Sequence, residues 1–280
     1  RPNLTQDRFL KDRIVRVVTL HWPLTIAVFL LALLAPALMN STTADPMNLL
    51  KSLFYIPYYK ENGVLTPILA VAWTLNYEVL FYAICALSFL FKIAHRIAFV
   101  TAAMLLVYGL AHVFSGAGAM AEFYAGYYML EFPAGMLIWA LYQRYGKQQQ
   151  LSKAGGLVAI STLVALLTFV DYHWNGVIDR LWLFAAPSIL LVWLALIYEP
   201  HLGKGPLIRL GAMLGDASYC IYLTHIFVIE FLRKLMPRFI DGFSMENLPG
   251  FMFAFVLSLV VGVLVDLYFY KPGVKVFGDW

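Results

Sequence analysis

Between Arg16 and Asp45 the sequence runs Val17-Val-Thr-Leu-His-Trp-Pro-Leu-Thr-Ile-Ala-Val-Phe-Leu-Leu-Ala-Leu-Leu-Ala-Pro-Ala-Leu-Met-Asn-Ser-Thr-Thr-Ala44, without one Asp, Glu, Lys or Arg. A helix needs roughly 20 apolar residues to cross a bilayer core about 30 Å thick. This run is long enough, and it has companions. Charge-free stretches also lie between Arg96 and Glu122, Lys153 and Asp171, Arg180 and Glu199, and Glu246 and Asp266. Three more are apolar around an internal carboxylate: about 64–91 with Glu78, 123–142 with Glu131 and 214–232 with Glu230. The expectation is an all-α polytopic transmembrane bundle of about eight spans, apolar on every face, as lipid requires. Pro23, Pro67, Pro133 and Pro187 fall in or beside spans, where they are expected to kink helices.

Composition points the same way. Hydrophobic residues make up 62% of the 280 and charged residues only 13%, against roughly 25% charged in a soluble domain. Too few polar side chains remain to coat a water-exposed globule. The net charge of +4 comes without a basic run interleaved with aromatics, which excludes a nucleic-acid surface. Cys85 and Cys220 lie in apolar stretches without CxxC spacing and read as packing residues. No metal-binding motif, GxSxG, Walker or dinucleotide signature occurs, so no metal is expected. Without repeats or low-complexity tracts, residues 1–280 read as one domain. Lys and Arg divide 14 to 6 between the two sides of the membrane, which predicts that both ends of the chain are cytoplasmic. The chain begins at Arg1 with no signal-peptide h-region ahead of the first span, and reads as a cut edge.

A carboxylate inside a span is costly unless it is paired, protonated or beside water. Glu78 lies in Trp73-Thr-Leu-Asn-Tyr-Glu-Val-Leu-Phe-Tyr82. Helical spacing puts Thr74, Glu78 and Phe81 or Tyr82 on one face, with Trp73 and Asn76 nearby. That face suits a polar cavity, although a helix-locking ion pair would also explain Glu78. Ser218, Tyr222 and His225 recur at i, i+4 and i+7 as a polar stripe, which reads equally as catalytic lining or as core hydrogen bonding. Asp216 and Ser218 are candidate caps for that helix. Arg13 and Arg16 form an Arg-x-x-Arg pair suited to phosphate, but spacing alone favours anchoring to lipid headgroups. Glu131 is a second carboxylate beside Pro133. Glu230 has Arg233 and Lys234 one turn away and reads as an ordinary ion pair. His21, His95, His112 and His201 have no patterned neighbours.

At these segments the chain resembles the acyltransferase 3 family of membrane O-acyltransferases, and within it the bacterial exopolysaccharide (succinoglycan-type) O-acetyltransferases. Four stretches carry the likeness in the family's order: Phe9-Leu-Lys-Asp-Arg13-Ile-Val-Arg16, Trp73 to Tyr82, Asp179-Arg-Leu-Trp…Pro187-Ser…Glu199, and Gly215-Asp-Ala-Ser-Tyr…Tyr222-Leu-Thr-His225. The resemblance implies a ten-helix enzyme moving an acyl group, usually acetyl, from cytoplasmic acetyl-CoA to a hydroxyl of an envelope glycan or its lipid-linked precursor. The family's first two helices, including its presumed catalytic histidine, precede the Arg-x-x-Arg motif and are expected to be missing here. The family's closing Glu-Lys/Arg-Pro is replaced by Phe269-Tyr-Lys271-Pro272.

Carried over, Arg13 and Arg16 would hold the coenzyme A phosphates, while Glu78 would orient the base or the acceptor. His225 joins Glu78 as a catalytic candidate. Trp73, Asn76, Tyr82, Glu131, Ser218 and Tyr222 would line the acceptor site. The implied partners are a glycan or lipid-linked oligosaccharide, membrane lipids and polysaccharide-assembly proteins, at the bacterial cytoplasmic membrane. A lipid-linked sugar transporter or flippase is the alternative, and a non-catalytic membrane subunit the third reading.

Overall fold

The computed structural model describes residues 5–39, 42–146, 152–173, 180–240 and 244–278, and these contain helices and no strand. In chain order the helices are α1 (Gln6–Leu34), α2 (Pro46–Leu53), α3 (Trp73–Leu87), α4 (Ile93–Val113), α5 (Ala119–Tyr124) and α6 (Glu131–Tyr145). They continue as α7 (Lys153–His173), α8 (Arg180–Tyr198), α9 (Pro206–Asp216), α10 (Ser218–Leu235), α11 (Leu248–Val265) and α12 (Lys271–Gly278). Four helical segments among the described residues are long and apolar enough to cross a membrane: Gln6–Leu34, Ala70–Leu90, Ile93–Val113 and Leu248–Gly278. The pair α9 and α10, bent by 72°, makes a fifth if it is one span. Shorter apolar helices cover Ala154–Leu166 and Ala185–His201. The expected eight spans thus correspond to four or five clear ones. The stretch 123–142 is divided into α5, a 3-10 turn (Tyr127–Leu130) and the 15-residue α6.

The chain forms two compact units, Arg1–Ala86 with Gly205–Trp280, and Leu87–Lys204. In the first, α11 aligns Gly250, Ala254, Ser258 and Gly262 at four-residue spacing, all buried. Such a stripe of small residues lets two helices approach closely where lipid supplies no hydrophobic drive between them. α10 packs on that face, where its Val228 and Leu232 cluster with Ala254. The fit is tight at Gly262, where an added Cβ would lie 2.5 Å from the Ile221 Cα. The core of this unit collects Val17, Leu20 and Val28 of α1, Ile68, Leu69, Ala72 and Leu75, and Cys220 and Leu223 of α10. Cys220 is fully buried and both cysteines are free thiols.

Local sequence accounts for the helix ends. Thr5 caps α1 by accepting from the Arg8 N–H at 3.4 Å. Asp45 caps α2, accepting from Met47 and Asn48 at 3.0 and 3.3 Å, with Pro46 at the first helical position. Asn247 caps α11 at 2.8 Å through Gly250. The expected caps Asp216 and Ser218 make no capping bond. Only Ala217, itself in helical conformation, separates α9 from α10. Its carbonyl accepts from Ile221 and its N–H bonds to Met213, so no N-cap geometry forms. Glu230 pairs with Arg233 at 2.7 Å and Lys234 at 3.4 Å, as the sequence predicts.

In the second unit, Gly156 of α7 faces the Tyr198 ring of α8, and Tyr142 of α6 meets Trp193 edge-on at 6.3 Å. α4 buries only Val100, Met104 and Ala111 and leaves Leu106 and Val113 exposed, as a lipid-facing helix does. The third matched stretch belongs to this unit, but its Asp179 lies outside the described residues.

Candidate functional site

The first unit draws together residues that the sequence keeps far apart. Tyr82 donates its hydroxyl hydrogen to Glu78 Oε1, one turn back on α3. Above the Tyr82 ring sits the Arg13 guanidinium, 5.5 Å from its centroid and 5.5 Å from that of Phe9. The Phe9 and Tyr82 rings meet edge-on at 6.2 Å. Arg13 is half-buried, and its Nε is a buried donor without a hydrogen-bond partner among the described residues. Aromatic faces attract a cation but accept no strong hydrogen bond, so the guanidinium keeps donor capacity for an anion. Arg16 is exposed one turn along. Its backbone is held from outside α1: Tyr270 donates to the Arg16 carbonyl at 3.1 Å and Tyr219 to the Val17 carbonyl at 2.7 Å.

Glu78 is half-buried and accepts from Tyr82, over whose ring the Arg13 guanidinium sits. It is neither sealed in dry packing nor cut off from the arginines. Tyr222 of α10 donates to the Val71 carbonyl, which commits its one hydrogen. Thr74 must therefore donate to the Tyr222 oxygen, at 2.9 Å. His225 bonds through Nδ1 to the Tyr222 carbonyl at 2.6 Å, leaving Nε2 as its other polar atom.

The structure thus joins Arg13 to Glu78 through Tyr82, and links Tyr222 to the start of α3. Asn76 is buried and Trp73 half-buried, its ring 6.0 Å from that of Tyr77. Ser218 is exposed in the first turn of α10, and Glu131 is exposed at the start of α6 in the other unit. Among the described residues no group of three or more His, Cys, Asp and Glu could hold a metal ion.

Two residues escaped the motif reading. His21 is 1% exposed, and its Nδ1 lies 3.0 Å from the Tyr55 hydroxyl. Trp22 ties the same segment down by donating to the Leu53 carbonyl at 3.0 Å. Only the polar His21 in an otherwise apolar span hinted at this contact.

A helical membrane protein whose half-buried arginine, carboxylate and tyrosines share one cluster is defined by fold and site as a membrane-embedded binding or group-transfer protein. Residues 7–267 match the acyltransferase 3 family, described as an acyltransferase domain, and the chain belongs to that family. It is 29% identical over 276 residues to the Exopolysaccharide production protein ExoZ of Rhizobium meliloti (strain 1021), covering 97% of this chain and 82% of that protein. No solved structure matches it significantly.

Proposed function

We propose that the protein is a membrane O-acyltransferase that moves an acyl group, acetyl in the first instance, from acyl-CoA to a hydroxyl of a cell-surface polysaccharide or its lipid-linked precursor. The observation that carries this reading is the Arg13 guanidinium, poised beside the Tyr82–Glu78 pair with an Nε that has no partner among the described residues. An orphaned guanidinium donor fits a phosphate oxygen, and Arg16 one turn on supplies a second fork. The donor substrate supplies an activated thioester. Arg13 and Arg16 bind its phosphates, Glu78 receives the acceptor, and Tyr222 and His225 line the acceptor's side of the site. The likeness to an exopolysaccharide production protein supports a glycan acceptor and a bacterial cytoplasmic membrane.

Acetyl-CoA binding to the detergent-purified protein tests the phosphate role. Arg13→Ala and Arg16→Ala should each weaken binding roughly tenfold or more, the scale of one charge-assisted hydrogen bond, with expression little changed. Unaltered affinity in both variants would remove the arginines from the donor site. A transporter would neither hydrolyse acetyl-CoA nor transfer its acyl group.

A further inference from the structure

Tyr55 is the one non-glycine residue among the described residues with a positive φ, 58°. A left-handed backbone is strained at a bulky residue and persists only where the surroundings impose it. Here they do. The Tyr55 N–H bonds to the Ser52 carbonyl at 3.3 Å, and Trp22 holds the Leu53 carbonyl. The Tyr55 ring lies over the imidazole of His21 with centroids 4.9 Å apart. His21 is buried in α1 and reaches the phenol through Nδ1. One turn further along α1, Thr25 is completely buried, and its hydroxyl has no partner among the described residues. A buried unpaired hydroxyl is costly, so α1 carries two polar groups on consecutive turns where apolar side chains would be more stable.

The same corner belongs to the site. Tyr55 packs against the same core of buried residues as Tyr82, the hydrogen-bond partner of Glu78, and Tyr222. Burial first, and the Glu78 charge second, hold the Tyr55 phenol above its ordinary range, so it stays a protonated donor near neutrality. Along α1, His21 lies eight residues beyond Arg13, about 12 Å of helical rise. That offset separates a phosphate-binding end from a deeper polar end.

We propose that Tyr55 is a catalytic residue whose hydroxyl donates a hydrogen bond to the acyl carbonyl oxygen as charge builds there, and that His21 is the residue that positions it. This rests on the acyl-transfer reading. The step forms the bond between the acceptor oxygen and the acyl carbon, breaks the carbon–sulfur bond, and delivers the acceptor's hydroxyl proton to the departing sulfur. Tyr55 keeps its own proton throughout. With the imidazole proton on Nδ1, His21 donates to the phenolic oxygen and leaves the phenolic hydrogen free for substrate. The backbone strain at Tyr55 is then the cost of aiming that hydrogen inward.

The test measures transfer of label from [14C]acetyl-CoA into the membrane glycan–lipid fraction, with acetyl-CoA affinity and melting temperature measured on the purified protein. Tyr55→Phe should lower kcat roughly 100-fold, the scale of one lost oxyanion donor, with KM for acetyl-CoA unchanged. His21→Leu should match it, and the double variant should be no worse than either single one, as for residues acting as a unit. His21→Asn, whose amide N–H replaces Nδ1–H, should restore most of the rate. Should His21→Leu fail to fold, Tyr55→Phe and His21→Asn decide. A Tyr55→Phe enzyme within about threefold of the parent kcat overturns the proposal while leaving acyl transfer standing. A parent protein that transfers no label overturns both.

Discussion

At the residue scale, Glu78 is where competing explanations of the chain separate. A carboxylate in an apolar span is tolerated when it is paired or hydrogen-bonded, and here Tyr82 donates to it. A phenol donates to the carboxylate without forming an ion pair with it, and the half-buried Arg13 rests on the ring of that phenol. A locking salt bridge would have consumed both charges. Glu78→Gln keeps an oxygen that can accept from Tyr82 but removes the charge. Transfer should fall at least ~100-fold, on the scale of general acid–base and electrostatic contributions, while the melting temperature shifts little. Retained turnover in the label assay would reduce Glu78 to a structural residue. The stripe Thr74, Glu78, Tyr82 was legible in the sequence because helical spacing alone places it. Its partners were not. Arg13 and Tyr222 reach it from other parts of the chain, and no local periodicity encodes those meetings.

At the scale of elements, the α10–α11 seam is the firmest joint in the first unit. Its logic is steric: four small residues on α11 open a groove that α10 fills. Gly262→Ala places a methyl 2.4 Å from Ile221 Cγ1 and 2.5 Å from its Cα. Side-chain rotation can relieve the first clash but not the second, because Cα belongs to the helix backbone. The substitution should cost about 1–3 kcal/mol, the usual range for overpacking, seen as a lower melting temperature in detergent. Ile221→Ala should not fully rescue it. An unshifted melting curve for Gly262→Ala would show that the helices are not packed this closely. The π-helical turn Asp266–Tyr270 follows the seam, with buried Asp266 paired to Lys271 at 2.6 Å. It sets the Tyr270 hydroxyl against the Arg16 carbonyl. The departure from the family's closing motif at Phe269–Pro272 therefore falls on a segment that braces the Arg-x-x-Arg helix.

At the scale of the molecule, the segment Ala70–Leu90, long and apolar enough to cross a membrane, carries Glu78 between Lys60 and Lys92. The distribution of Lys and Arg predicts Lys92 on the cytoplasmic side and Lys60 on the far side. Alkaline phosphatase fused after Lys60 should be active, and the same reporter fused after Lys92 inactive. The reverse pattern would place the Arg13–Arg16 end away from cytoplasmic acyl-CoA and defeat the proposed donor route.

Sequence by itself determined the solvent: long uncharged runs can be buried only in lipid, and in lipid each backbone amide must be satisfied within its own helix. It also marked Arg13, Arg16 and Glu78, because charge at a membrane helix is rare enough to stand out. Tertiary structure alone decided that Arg13 rests on Tyr82, that α9 runs into α10 without a cap, and that His21 meets Tyr55. Hydropathy is a sum over neighbouring residues and is written along the chain. A contact between distant residues depends on how whole helices rotate and approach, which small residues such as Gly262 and a strained backbone such as that of Tyr55 settle only once the bundle has packed.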